Sequence, residues 1–91
     1  MYTEDKAVTN SYVKIANDGE DFMFSLPGEE PIAIAFVASG GTPTVKGHAV
    51  KPSMRNAQGF FRLNNMPPGD AYVRTIYPDQ EITIGLDVWA A

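Results

Sequence analysis

Glycine, proline and Asn/Asp turns interrupt this chain so often that they leave no window for a helix of ordinary length. The 91 residues include 8 glycines and 7 prolines, and no segment holds a 3.6-residue apolar stripe beyond about two turns. What survives between the breaks is short and β-like. Ser11 to Ala16 sets Val13 and Ile15 on one face, and Asp21 to Leu26 sets Phe22, Phe24 and Leu26 on one face. Asn17-Asp18-Gly19 between them tolerates positive φ, so the pair is expected to form a hairpin. Ile32 to Ala38 is apolar on both faces, as a central strand covered on both sides should be, and its small alanines imply a close neighbour on one of them. A short strand near Gly47 to Lys51, then Phe60 to Leu63 and Ala71 to Tyr77, follow. The last segment alternates strictly, with Ile82, Ile84, Leu86 and Val88 set against Glu81, Thr83, Gly85 and Asp87. That is a half-exposed antiparallel strand.

Six to eight short strands at a spacing of about 8–12 residues predict an all-β fold. The expected architecture is a small antiparallel β-sandwich, jelly-roll or immunoglobulin-like, or a partly closed barrel. Residues 1–8 are polar and lack periodicity, so they are expected to form a flexible arm. Residues 9–91 make the single domain, with a long loop at about 42–59. Pro52 breaks strand pairing there, and loops beyond about 12–15 residues are uncommon and often functional.

A chain this short buries only about 60–65% of the surface its unfolded form exposes. Small domains recover the deficit with disulfides, a metal or oligomerisation. There is no cysteine, and His48 is the sole histidine, so neither a disulfide nor a zinc site has its ligands. Oligomerisation or docking onto a larger body is the remedy left, and unpaired sheet edges point the same way. The longest apolar run, Ile32 to Ala38, falls far short of the roughly 20 residues that span a bilayer. Met1 to Lys6 lacks the basic-then-apolar order of a secretion signal. The expectation is a protein made in a cytoplasm, with no membrane partner.

The formal charge is −4, which argues against nucleic acid as a partner. The total hides a segregation. From Pro31 to Gly69 there is no acidic residue, while Lys46, Lys51, Arg55 and Arg62 all lie there; the flanks hold all eleven carboxylates with only Lys6, Lys14 and Arg74.

Chemistry finds little to work with. A catalytic triad needs a histidine base, and His48 has no serine elbow to serve; an enzyme would show a cleft around it. Asp18, Glu20 and Asp21 fall within one turn rather than across a cleft, and they lack the twelve-residue spacing of a calcium loop. Ser39-Gly40-Gly41-Thr42 lacks the lysine and the helix of a phosphate-binding loop. No catalytic, metal or cofactor-binding residue is therefore nominated, and the chain reads as a non-enzymatic binding or structural module. Its candidate partner contacts are Lys46, Lys51, Arg55 and Arg62 as a basic seat, with Tyr72, Tyr77 and Trp89 as aromatic anchors.

A pattern runs through these segments. It starts with Thr9-Asn10-Ser11-Tyr12-Val13-Lys14-Ile15-Ala16, then Pro31-Ile32-Ala33-Ile34-Ala35 and Ser39-Gly40-Gly41-Thr42-Pro43. It ends with Ala71-Tyr72-Val73-Arg74-Thr75 and Ile82-Thr83-Ile84-Gly85-Leu86-Asp87-Val88-Trp89. This order resembles small virion proteins of tailed bacteriophages, of the capsid-decoration (cement) or head-fibre kind, over roughly residues 9–91. Thr44 to Gly59 departs from the pattern, which is shorter there. The resemblance implies a protein assembled in the host cytoplasm into the virion, often as a homotrimer. It would dock on the major capsid protein or another virion protein and add buried interface to the shell without turnover. The alternative is a ligand- or carbohydrate-recognition module of the tail-fibre type, using Tyr72, Tyr77 or Trp89 as a stacking platform.

Overall fold

The computed structural model describes residues 2–26, 30–51, 54, 59–62 and 67–90. Its strands are β1 (Tyr2–Val8), β2 (Val13–Ala16), β3 (Glu20–Ser25), β4 (Ile32–Val37), β5 (His48–Val50), β6 (Phe60–Arg62), β7 (Asp70–Thr75) and β8 (Ile82–Ala90). They pair antiparallel in two four-stranded sheets, a front sheet in the order β1-β8-β3-β6 and a back sheet in the order β2-β7-β4-β5. The pairs β1–β8, β2–β7, β3–β6 and β4–β5 nest like one long ribbon doubled at β4–β5. Rolling that ribbon brings β8 beside β3 and β7 beside β4. This is the eight-stranded jelly roll, the first of the two sandwich types expected from the sequence.

Period-2 alternation fills the space between the sheets. The front sheet sends in Phe22, Phe24, Ile84, Leu86 and Val88, and the back sheet sends in Ile32, Ile34 and Val73. Phe24 packs on Phe61 with ring centroids 5.0 Å apart. Each fully buried large side chain contributes about 1.5–3 kcal/mol. The strict alternation read in the last segment survives intact: Ile84, Leu86 and Val88 are wholly buried, while Asp87 and Trp89 turn outward.

Two expectations need correction. The segments around Asn17-Asp18-Gly19 do not form a hairpin. The turn is made, with Glu20 N–H donating to Asn17 O at 3.0 Å and Gly19 at φ +88°, but it carries the chain from the back sheet to the front. Both segments own a fully apolar inner face, Ile15 and Ala16 on one and Phe22 and Phe24 on the other. Those faces meet across the core rather than lie side by side. Second, Tyr2–Val8 is a strand and not a loose arm. It lies along the nine-residue β8 in a continuous register from Tyr2 opposite Val88 to Val8 opposite Ile82. An edge strand held by backbone pairing, with only Val8 in the core, leaves no apolar period to detect.

The sheet edges are handled within the chain. β5 and β6 are three residues each, and β2 is bent by a register shift between Lys14 and Ala16. On β1, Glu4 and Lys6 lie opposite the inward-facing Leu86 and Ile84 and pair with each other at 3.9 Å. Short, bulged or inwardly charged edges are the devices that discourage strand addition.

Ala33 and Ala35 point away from the core, yet they are only 2% and 3% exposed. Their close neighbour is the chain itself. Residues 41–47 fold back over the back sheet, held by three outward side chains. Tyr72 donates its hydroxyl to Gly41 O (3.0 Å), Tyr12 to Val45 O (2.9 Å), and Arg74 its guanidinium to Lys46 O (2.8 Å). Gly47 lets this cover lie flat, since a Cβ there would sit 2.7 Å from Ile34 O. The expected long loop is thus partly a fitted lid on β4.

Asp70 fastens the root of this cover. It is 2% exposed and accepts the Asp18 N–H at 2.8 Å and the Gly40 N–H at 3.1 Å, with Lys14 Nζ 3.4 Å away. Asp18 returns the contact by accepting the Gly69 N–H at 3.0 Å. The amides of Gly40 and Asp18, and then Lys14, hold the Asp70 carboxyl below the ordinary aspartate range.

Candidate functional site

Alternation along β3 and β8 dictates what the front sheet shows to its outside. Met23 lies opposite Asp87 on β8 and Arg62 on β6, Asp21 lies opposite Trp89, and Asp87 lies opposite Thr3 on β1. Opposite residues share a face, so these six side chains make one patch. Arg62 reaches across β3, pairs with Asp21 at 3.2 Å, and lies over the Trp89 ring with its guanidinium carbon 4.9 Å from the ring centroid. The Thr3 hydroxyl donates to Asp87. Thr3, Met23, Asp87 and Trp89 line a hollow of about 310 Å³.

This patch combines a tryptophan, an arginine and a methionine, the side chains enriched at the centres of protein interfaces. Arg62 is held in place by both a carboxylate and a ring, so it loses little freedom when a partner arrives. Asp5, opposite Gly85, adds a further carboxylate on the same side.

The nominated contacts separate into distinct regions. Arg62 and Trp89 come together on the front. Tyr72 and Lys46 lie on the back, where the Tyr72 hydroxyl and the Lys46 carbonyl are used internally to hold the cover. Lys51 is exposed at the end of β5. Tyr77 is 53% exposed beyond β7. Arg55 lies outside the described residues. A single aromatic row of Tyr72, Tyr77 and Trp89 does not form, because β7 and β8 belong to different sheets.

Sequence reasoning missed Thr3, Met23, Asp21 and Asp87 as members of the patch. Thr3 had no signal once β1 was read as an arm. Met23 and Asp87 were visible as outward positions of alternating strands, but their adjacency needs the β3–β8 pairing. On the back it missed Tyr12, whose ring meets Tyr72 edge-on at 6.5 Å and lies beneath Arg74 at 5.4 Å.

His48 does line a cavity. The space between β4, β5 and β6 holds about 320 Å³, lined with Ile34, Phe36, Val50, Met54 and Phe61 beside it. The company is apolar, with no nucleophile or carboxylate among the described lining residues. No group of three or more His, Cys, Asp or Glu side chains able to hold a metal ion occurs among the described residues. No helix among them is long and apolar enough to cross a membrane.

Set against protein-family models, curated proteins and solved structures, the chain matches none of them.

Proposed function

We propose that this chain is a non-enzymatic docking module, a virion structural protein that decorates and stabilises a phage capsid, and that it seats through the outer face of its front sheet. One observation carries the reading: Trp89, held under Arg62 and flanked by Met23 and Asp87, is half-buried on the outer face of the sheet and lines its hollow. A pre-ordered aromatic–arginine anchor is the arrangement from which interface hot spots are made. The jelly roll adds an argument by analogy, because the architecture recurs in viral capsid and lectin domains.

The test is co-sedimentation of the intact chain with the capsid shell of the particle that encodes it. Wild type is expected in the pellet, and Trp89→Ala and Arg62→Glu in the supernatant. Equal pelleting of all three would end the assignment of this face, and absence of wild type from the pellet would end the capsid reading.

A second reading is favoured by the hollow itself. An indole beside a carboxylate and a hydroxyl is also how a sugar ring is held, by stacking on the indole face plus hydrogen bonds to its hydroxyl groups. Trp89 is the only tryptophan, so its fluorescence reports on this site alone. Saturable quenching by a neutral oligosaccharide, lost in Asp87→Asn, would move the assignment to carbohydrate recognition.

A further inference from the structure

The two outward faces of the sandwich differ in charge and in relief. On the back, Lys46 lies in the cover, Arg74 holds the Lys46 carbonyl from below and Lys14 sits at the root beside Asp70, with Lys51 exposed at the end of β5. Two described carboxylates lie among these four cations: Asp70 is buried and already occupied by two amides and Lys14, and the exposed Asp18 accepts the Gly69 N–H, so positive charge remains in excess. Arg74 is held by the carbonyls of Thr75 and Lys46 and by the Tyr12 ring, contacts that leave its positive charge unneutralised. At the crest of the cover stands Val45, 60% exposed, beside the exposed Lys46. On the front, the hollow between Trp89 and Met23 is edged by Asp87, with Asp5 and Asp21 on the same face. Arg62 there is engaged by Asp21.

An exposed aliphatic crest set among cations thus occupies one side, and an aromatic hollow set among carboxylates the other. We infer that this chain self-associates head to tail, the Val45 crest of one copy entering the Trp89–Met23 hollow of the next, with Lys46 facing Asp87 and Asp5. The partner is a second copy because both complementary surfaces are present on one molecule. Charge complementarity fixes the orientation, and burial of Val45 against the indole supplies the apolar contact. The contact is heterologous, and its halves lie on opposite sides of the sandwich. Each added copy therefore presents a fresh crest or a fresh hollow, and association is open-ended rather than closing as a trimer. The inference stands on charge and relief and does not need the capsid reading, though it uses the same front face.

Sedimentation velocity of the intact chain over a concentration series tests it. The average mass of wild type is expected to climb continuously with concentration. Val45→Asp removes the crest and Trp89→Ala removes the hollow, and each alone is expected to weaken association by about tenfold or more. Val45 is 60% exposed and its hydrogen bond with Tyr12 is made by its carbonyl, so Val45→Asp is expected to fold normally. The deciding step is a mixture of the two variants. Val45→Asp keeps its hollow and Trp89→Ala keeps its crest, so an equimolar mixture is expected to form a dimer and stop there. A wild type that stays monomeric throughout overturns the inference. So does a fixed oligomer indifferent to Val45→Asp, or a mixture that stays monomeric. Val45→Asp is expected to pellet with the capsid shell as wild type does, so failure of self-association and failure of docking read out separately.

Discussion

The back sheet turns Ala33, Ala35 and Ala49 outward, while the front sheet turns out Met23, Asp87 and Trp89. Ala33 and Ala35 let residues 41–47 lie against β4, and Tyr12, Tyr72 and Arg74 direct their polar ends to that segment's carbonyls. The front patch leaves Met23 and Trp89 half-buried and Arg62 exposed, with no described segment of the chain over them. Two sheets of the same size, in one rolled ribbon, therefore use their outer faces differently. Alternation tells which residues point away from the core. The volume and chemistry of those residues tell whether the face meets its own chain or something else.

The cover is the part of this comparison that a single methyl group can break. Gly47 has φ +82°, and a Cβ there would meet Tyr12 Oη at 2.6 Å and Ile34 O at 2.7 Å. Gly19 has φ +88° with nothing within 4 Å. Both glycines are strained by alanine, but only one is crowded. Gly19→Ala is expected to cost about 1–2 kcal/mol from backbone strain alone. Gly47→Ala is expected to cost about 3 kcal/mol, because backbone strain is joined by overpacking against β4. For a domain of this size that difference reads as a melting temperature lower by roughly 4–16 °C. Equal costs would show that the cover is loosely seated.

Acid is expected to loosen the same region next. The Asp70 carboxyl is held below the ordinary aspartate range by the Gly40 and Asp18 amides and by Lys14. A carboxyl whose folded pKa is depressed stabilises the fold above its unfolded pKa, and that contribution is lost as pH falls through the folded value. Denaturant midpoints measured downward from neutral pH are expected to fall with protonation of Asp70. Amide exchange at Gly40 and Asp18, corrected for intrinsic rate, is expected to rise in step. Asp70→Asn is expected to be less stable at neutral pH and to show a shallower acid decline. An unchanged acid slope in Asp70→Asn would assign the decline to other carboxylates.

A smaller effect separates the hydroxyl from the ring at Tyr12. Tyr12→Phe keeps the contacts with Tyr72 and Arg74 and loses only the hydrogen bond to Val45 O. The expected cost is about 1 kcal/mol, with faster amide exchange confined to residues 41–47. A change spread over both sheets would mean that Tyr12 supports β2 rather than the cover.

Much of this architecture was legible in the sequence, and its limits have physical causes. β3, β4, β7 and β8 each bury one alternating face or both, so their residues announce them. β1 is held by backbone pairing with β8 and carries charge on both faces, so nothing in Tyr2–Val8 announces it. Asn17-Asp18-Gly19 specifies a turn but not whether the strands it joins lie in one sheet or two. That choice rests on the apolar faces of Ile15 and Ala16 and of Phe22 and Phe24 meeting across the core, with Asp70, fifty-two residues away, taking the Asp18 amide. The small residues of Ile32 to Ala38 did signal a close neighbour; that the neighbour is residues 41–47 follows from Tyr12, Tyr72 and Arg74, which only the β2–β7 pairing brings together. Trp89 and Arg62 were each read as contacts, but from different arguments. Their union across β3 is a product of strand order, and strand order is set by how the whole ribbon rolls.

Loss of Trp89 is expected to cost no more stability than loss of the Tyr12 hydroxyl, yet it most sharpens the contrast between the faces. Trp89 is half-buried and is tied to the fold by the Arg62 guanidinium above its ring, a contact worth about 0.5–1 kcal/mol at an exposed site. Trp89→Ala is therefore expected to lower stability by about 1 kcal/mol while removing binding through the front face. Tyr72→Ala is expected to behave in the opposite way. It strips a hydroxyl anchor and an edge-on ring contact from the cover, so it should cost about 2–3 kcal/mol and leave front-face binding at the wild-type level. Melting temperature and capsid co-sedimentation, measured on both variants, place each face on two axes at once. If Trp89→Ala melts as early as Tyr72→Ala and still binds, then the indole is a structural plug for the end of β8, and the front sheet is as much a covered surface as the back.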